Sequence, residues 1–166
     1  MKINDALNLL NITQAVTQKD IKKAYKEACL KFHPDRNPAG LHMMQAINAA
    51  YETLNKLGDT VSPEEGFNSS NYGEELNTAL NQLIVLDGLT IEICGNWIWI
   101  SGDTRPHKEQ LGKNGIGCFW SKNKRMWYFR PSDYKSFGRG SWDIDTIRGV
   151  HGSIKPDVKP PQQLTA

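Results

Sequence analysis

Two apolar stripes of helical period, separated by a proline, constrain the first sixty residues to a helical hairpin. Ile21, Ala24, Tyr25, Ala28 and Phe32 recur at helical spacing, and Met44, Ile47, Tyr51 and Leu54 do so again. Pro34 stands between them and biases the preceding residue away from helical geometry, so the first helix must end there. The polar link HPDRNPAG then turns the chain, and the two helices pack antiparallel. Thr17 and Asp20 have the spacing of an N-cap and its third helical residue, a capping box with Asp in place of Glu. The second helix runs from about Leu41 to Leu57, with Gly58 as its stop. A shorter amphipathic segment, Asn4 to Leu10, precedes the pair.

The rest of the chain has a different character. Residues 1–88 carry 8 Lys+Arg against 11 Asp+Glu, whereas residues 89–166 carry 12 against 7. An acidic half beside a basic half points to two modules with different partners. Of the 166 residues, 39% are hydrophobic and 23% charged, and no apolar run approaches the roughly 20 residues that span a bilayer. A membrane partner and a secretory leader are therefore not expected. Cys29, Cys94 and Cys118 are odd in number and lack CxxC spacing, which suits free thiols in the cytoplasm.

Lys19, Lys22, Lys23 and Lys26 share one face of the first long helix. Lysines on a helix most often make a solvated face and nothing more. Here the face runs up to His33-Pro34-Asp35. The segments DIKKAYKEACLKFHPDRN and MMQAINAAYETL together resemble the J-domain of the DnaJ co-chaperone family. The resemblance covers residues 4–57, about a third of the chain. It implies docking on a DnaK-type chaperone, of the seventy-kilodalton heat-shock class, and stimulation of its ATP hydrolysis. On that basis Lys22, Lys23 and Lys26 steer the encounter. His33, Pro34 and Asp35 act at the chaperone's interdomain hinge, and Lys31, Arg36 and Asn37 complete the docking set. Met44 stands where the family usually has Phe. A fourth helix is not evident after Gly58, and neither a Gly/Phe-rich stretch nor a CxxCxGxG zinc module is present. The chain thus resembles the minimal class, a J-domain joined to an unrelated module.

The expected fold is α+β. A J-domain hairpin (1–58) precedes a flexible linker (59–73), a basic, aromatic-rich α+β domain (74–152) and a disordered tail (153–166). Glu74 to Leu86 has helical period through Leu76, Leu80 and Leu83. Leu89–Cys94 and Trp97–Ser101 alternate as strands about Gly95-Asn96. Thr104–Lys113 is expected as a helix, Gly117–Trp120 and Arg125–Phe129 as a second hairpin, and Ser141–Val150 as a last helix capped by Asp143 or Asp145. The run WIWISGDTRPHKEQLGKNGIGCFWSKNKRMWYFRP resembles C-terminal modules of small bacterial and phage-borne J-domain proteins, which implies an architecture but no site.

Aromatics on these strands have two readings. They are core for a small sheet, or a surface that stacks bases while cations hold phosphates. The second reading selects Trp97, Trp99 and Trp127 with Lys122, Lys124, Arg125 and Arg130; Lys108, Lys113, Lys135 and Arg139 lie nearby. Cys94, Cys118, His107 and His151 have no ligand spacing on one element, so no metal, cofactor or catalysis is expected. The function expected is a co-chaperone whose second module targets a client protein or nucleic acid. The alternative is a nucleic-acid-binding protein of a phage or mobile element with a degenerate J-like hairpin.

Overall fold

The computed structural model describes residues 1–64, 67, 72–130, 132, 134 and 141–155. Helices α1 (Ile3–Leu9), α2 (Gln18–Lys31) and α3 (Gly40–Asn55) form the N-terminal bundle, with α3 packed against both others. The capping box is present: the Thr17 hydroxyl accepts from the Asp20 N–H, and Asp20 Oδ2 accepts from the Thr17 N–H at 3.1 Å. Gln18 Nε2 reaches across and donates to the carbonyls of Leu54, Leu57 and Gly58 at 3.0, 3.1 and 2.9 Å. It satisfies carbonyls that a helix end leaves unpaired, and so clamps the open end of the hairpin.

The apolar stripe of α3 is displaced from the expected one. Met43, Ala46, Ile47, Ala50 and Leu54 are fully buried, while Met44 and Tyr51 are only half-buried. The reason is that α1, as well as α2, lies against α3 and turns its buried face by one residue. Tyr51 stacks on Tyr25 with ring centroids 4.3 Å apart.

The segment expected as a linker takes part in the fold. Strand β2 (Thr60–Val61) pairs antiparallel with β1 (Val16–Thr17). The Glu64 N–H donates to Asn4 Oδ1 at 2.8 Å. Residues 65–66 and 68–71 of that segment lie outside the described residues. Helix α4 (Tyr72–Leu83) follows, and Tyr72, Leu76, Leu80 and Leu83 have no exposed surface.

The C-terminal sheet has the order β3-β4-β6-β5, antiparallel throughout, from β3 (Leu89–Cys94), β4 (Trp97–Gly102), β5 (Phe119–Ser121) and β6 (Met126–Phe129). Gly95 takes a φ of 57° in the β3–β4 turn, and an added Cβ would lie 2.5 Å from Asp5 Oδ2, so glycine is favoured there. Ile91 faces Ile100 and Ile93 faces Ile98, which puts four isoleucines on one side of the sheet. Opposite them, Trp97, Trp99, Tyr128 and Phe119 form a continuous aromatic row. The expected helix from Thr104 is reduced to α5 (Lys108–Leu111), because residues 104–107 form turns instead: His107 N–H donates to the Thr104 carbonyl at 3.2 Å.

Helix α6 (Ile144–His151) is capped by Asp143, whose carboxylate accepts from the Thr146 N–H at 2.6 Å. It crosses the aromatic side of β3. There Arg148 Nε and Nη2 donate to both oxygens of buried Glu92 at 2.6 and 2.7 Å. Those bonds hold the Glu92 carboxyl below the usual range. Removing one partner from such a pair costs about 3 kcal/mol or more, so the pair pins α6. Ile154, expected in a disordered tail, bridges to Ile93 through two hydrogen bonds of 2.9 Å, because β3 would otherwise leave its edge unpaired. Residues 156–166 lie outside the described residues.

The two halves share one hydrophobic core, which runs from Ala6 and Leu7 through Ile47 and Leu76 to Ile93 and Ile100. His151 Nδ1 meets Asp5 Oδ2 at 2.9 Å and adds a polar tie between α6 and α1. The two modules thus pack against each other on that core. All five tryptophans lie between residues 97 and 142, whereas the two longest helices are α2 and α3. Unfolding in urea followed by tryptophan fluorescence and by far-ultraviolet circular dichroism should give coincident midpoints. Separated midpoints would mean independent modules.

His42 is 5% exposed, and neither ring nitrogen has a hydrogen-bond partner among the described residues. Burial lowers its pKa from 6.5. The unfolded chain then binds the proton first as pH falls, so stability is complete above about 6.5 and declines below it. The slope is at most about 1.4 kcal/mol per pH unit. The urea midpoint should fall between pH 7.5 and pH 5.5, and His42→Leu should remove most of that fall.

Candidate functional site

His33, Pro34, Asp35 and Arg36 lie exposed in the loop between α2 and α3. The loop is a compact turn. The His33 carbonyl accepts from the Arg36 and Asn37 N–H groups, both at 3.0 Å, and the Asn37 carbonyl accepts from the Gly40 N–H at 2.8 Å. His33 Nδ1 accepts from the Asp35 N–H at 3.2 Å and stands 3.5 Å from Asp35 Oδ2. An imidazole and a carboxylate are thus presented together, with a proline between them.

Gly40 sets how closely α3 approaches this turn. A Cβ there would lie 2.4 Å from Pro34 Cα and 2.6 Å from Pro34 N. Both are backbone atoms, so a side chain could be accommodated only by moving the turn itself.

Lys22, Lys23 and Lys26 are exposed along α2, as the sequence predicts. Leu30 continues that face at 72% exposure. Its signal in the sequence was an apolar residue off the buried stripe, on the lysine side. Lys31 does not stand free, for its ammonium pairs with Glu74 of α4. Asn37 is buried at 8% exposure and bonds to α4, so it supports the loop from within and does not present its side chain outward. Asn77 and Asn81, which receive it, carry no signal in the sequence, since asparagines on a helix are ordinarily solvated.

The expected nucleic-acid residues are scattered by burial. Trp99 is 2% exposed and covered by Lys124, whose ammonium lies 5.4 Å from its ring, so it offers no face to a base. Trp97 and Trp127 are half-buried. Trp97 is stacked on Tyr128 and met edge-on by Tyr134. Arg130 lies over Phe119 and Tyr134 at 5.1 and 5.2 Å. Lys122 and Arg125 are exposed at the β5–β6 turn, and the more open aromatics are Phe119, Tyr134, Trp120 and Trp142 at 39%, 40%, 45% and 48%. Lys135 and Arg139 lie outside the described residues.

Burial pushes the Cys94 and Cys118 thiols up to about 12, well above the range in which a thiolate is reactive at neutral pH. Among the described residues, no three His, Cys, Asp or Glu side chains converge as a metal site. No described helix is long and apolar enough to cross a membrane.

Residues 5–58 match the DnaJ domain family. They are a J-domain. The surrounding chain is 31% identical over 105 residues to DnaJ protein ERDJ2A of Arabidopsis thaliana, a match covering 58% of this chain and 15% of that protein. It is 37% identical over 75 residues to Chaperone protein DnaJ of Mycoplasmoides gallisepticum, covering 41% and 19%. Against DnaJ-like protein R260 of Acanthamoeba polyphaga mimivirus it is 34% identical over 82 residues, covering 47% and 19%. The chain therefore spans less than a fifth of the length of each of these relatives. No solved structure matches significantly.

In this J-domain, Gly40→Ala should lower stability by about 1–3 kcal/mol, the range for overpacking. The urea midpoint measures that loss. Amide chemical-shift changes should centre on residues 33–40; changes confined to α3 would contradict the close approach.

Proposed function

We propose that the protein is a co-chaperone that docks on a DnaK-type chaperone and stimulates its ATP hydrolysis. The observation that carries this reading is the exposed His33-Pro34-Asp35 turn, held rigidly at the end of a helix whose Lys22, Lys23, Lys26 and Leu30 are also exposed. The lysines would meet an acidic surface and raise the encounter rate. Leu30 would supply apolar contact beside them. His33 and Asp35 would then act on the partner's hinge. The chain itself catalyses nothing in this scheme, and the cytoplasm is the compartment that suits it.

The C-terminal sheet would bring the client. Phe119 and Trp120 on its edge strand β5 offer exposed aromatic surface. A nucleic-acid role is the second reading. It now rests on the exposed Lys122 and Arg125 of the β5–β6 turn, because Trp99 is enclosed.

Steady-state ATPase of a DnaK-type chaperone tests the main reading. The wild type should stimulate turnover, and His33→Gln should abolish the stimulation without changing the fold. Combined Lys22→Ala, Lys23→Ala and Lys26→Ala should raise the half-saturating concentration about tenfold at low salt, with the difference shrinking as salt screens the charges. Equal stimulation by wild type and His33→Gln would exclude the co-chaperone reading.

A further inference from the structure

We propose that Asn77 and Asn81 of α4 are positioning residues for the His33-Pro34-Asp35 turn, so that the fourth helix and not the hairpin alone sets the geometry of the docking loop. This rests on the co-chaperone reading only for what the turn is used for.

The contacts form a closed circuit of amides. Asn81 Oδ1 accepts from the Ala39 N–H at 3.0 Å. Asn81 Nδ2 donates to Asn37 Oδ1 at 2.9 Å. Asn37 Nδ2 in turn donates to Asn77 Oδ1 at 2.6 Å. Asn81 Nδ2 also lies 3.0 Å from the Asn77 carbonyl, which fixes the rotamer that serves the circuit. Asn37 is 8% exposed and Ala39 is fully buried, so water does not substitute easily for these partners. Asn77 and Asn81 are four residues apart and therefore on one face of α4. Glu74 shares that face and pairs with Lys31, the last residue of α2. The three α4 side chains thus grip both ends of the turn.

The connection to His33 is direct. The Asn37 N–H donates to the His33 carbonyl at 3.0 Å, so fixing Asn37 fixes the peptide that carries the imidazole. Pro34 cannot relax toward α3, because its Cα already touches the position that a Gly40 side chain would take. Asn37 holds the turn from the α4 side and Gly40 from the α3 side. With either released, His33 and Asp35 would stay exposed but lose their fixed separation.

Helix α4 is itself held by the C-terminal sheet. Ser132 donates to Glu75 through its N–H at 3.1 Å and its hydroxyl at 2.9 Å. The Tyr72 hydroxyl donates to the Asn96 carbonyl in the β3–β4 turn. The sheet therefore reaches the docking loop through one rigid element.

The test uses the full chain with Asn81→Ala, which deletes the bonds to Ala39 and Asn37, and Asn77→Ala, which deletes only one acceptor. Amide hydrogen exchange of Asn37, Ala39 and Gly40 should accelerate at least tenfold in Asn81→Ala and less in Asn77→Ala, with the mid-helix amides of α2 unchanged. Maximal stimulation of a DnaK-type ATPase should drop several-fold, while the half-saturating concentration changes little because the lysine face is intact. Wild-type exchange at Asn37, Ala39 and Gly40 in both variants would overturn the proposal. So would faster exchange accompanied by unaltered stimulation. Exchange readily separates this from failure of the co-chaperone reading, which would show as no stimulation by the wild type whatever the exchange. If Asn81→Ala does not fold, Asn77→Ala decides by the same two readouts.

Discussion

Helix α4 has to be buried along one stripe and engaged on both flanks of it, and the architecture follows from that requirement. Tyr72, Leu76, Leu80 and Leu83 form the stripe, with no surface left to water. Fully burying four such side chains stabilises the fold by roughly 1.5–3 kcal/mol each, which neither a two-helix hairpin nor a small sheet could provide alone. Beside the stripe, Glu74, Asn77 and Asn81 meet the end of the hairpin. On the opposite flank Glu75 meets Ser132, and Ala79 and Gln82 line a groove with Gly115, Ile116 and Phe129. The helix is a wedge between the two halves, and the core is continuous because of it.

This placement ties the C-terminal half to the N-terminal bundle. A module on a flexible tether would leave the His33-Pro34-Asp35 turn indifferent to it. Here the sheet, α4 and the His33-Pro34-Asp35 turn are linked by packed side chains and short hydrogen bonds. The polar ties reinforce the link from outside the core. Arg148 on buried Glu92 fixes α6 to the sheet, and His151 on Asp5 fixes α6 to α1. The charge asymmetry between the halves remains, across one shared core.

The aromatic side of the sheet shows how a small domain makes a core without a second layer over its whole area. Trp97 stacks on both Trp99 and Tyr128, Trp99 meets Tyr128 at a tilt, and Lys124 lies over Trp99. Cation and ring shield each other from water. The same residue types would serve a nucleic-acid surface. Only their burial separates the two uses.

Local patterns in the sequence marked most elements and the exposed His33-Pro34-Asp35 turn. Thr17 with Asp20 placed the start of α2, Pro34 its end, the pair Asp143 and Asp145 the start of α6 to within two residues, and alternation about Gly95-Asn96 the first hairpin. These follow from backbone sterics and from hydrogen bonds a few residues apart, which a linear reading captures. Tertiary structure alone decided that Met43 and not Met44 faces the core, that Trp99 is enclosed, that Asn37 points inward to Asn77 and Asn81, and that residues 60–61 belong to a strand. Each of those depends on a partner dozens of residues away. An asparagine or a tryptophan has the same polarity and the same helical or strand period whether it meets water or another side chain, so its role appears only when the partner is in place.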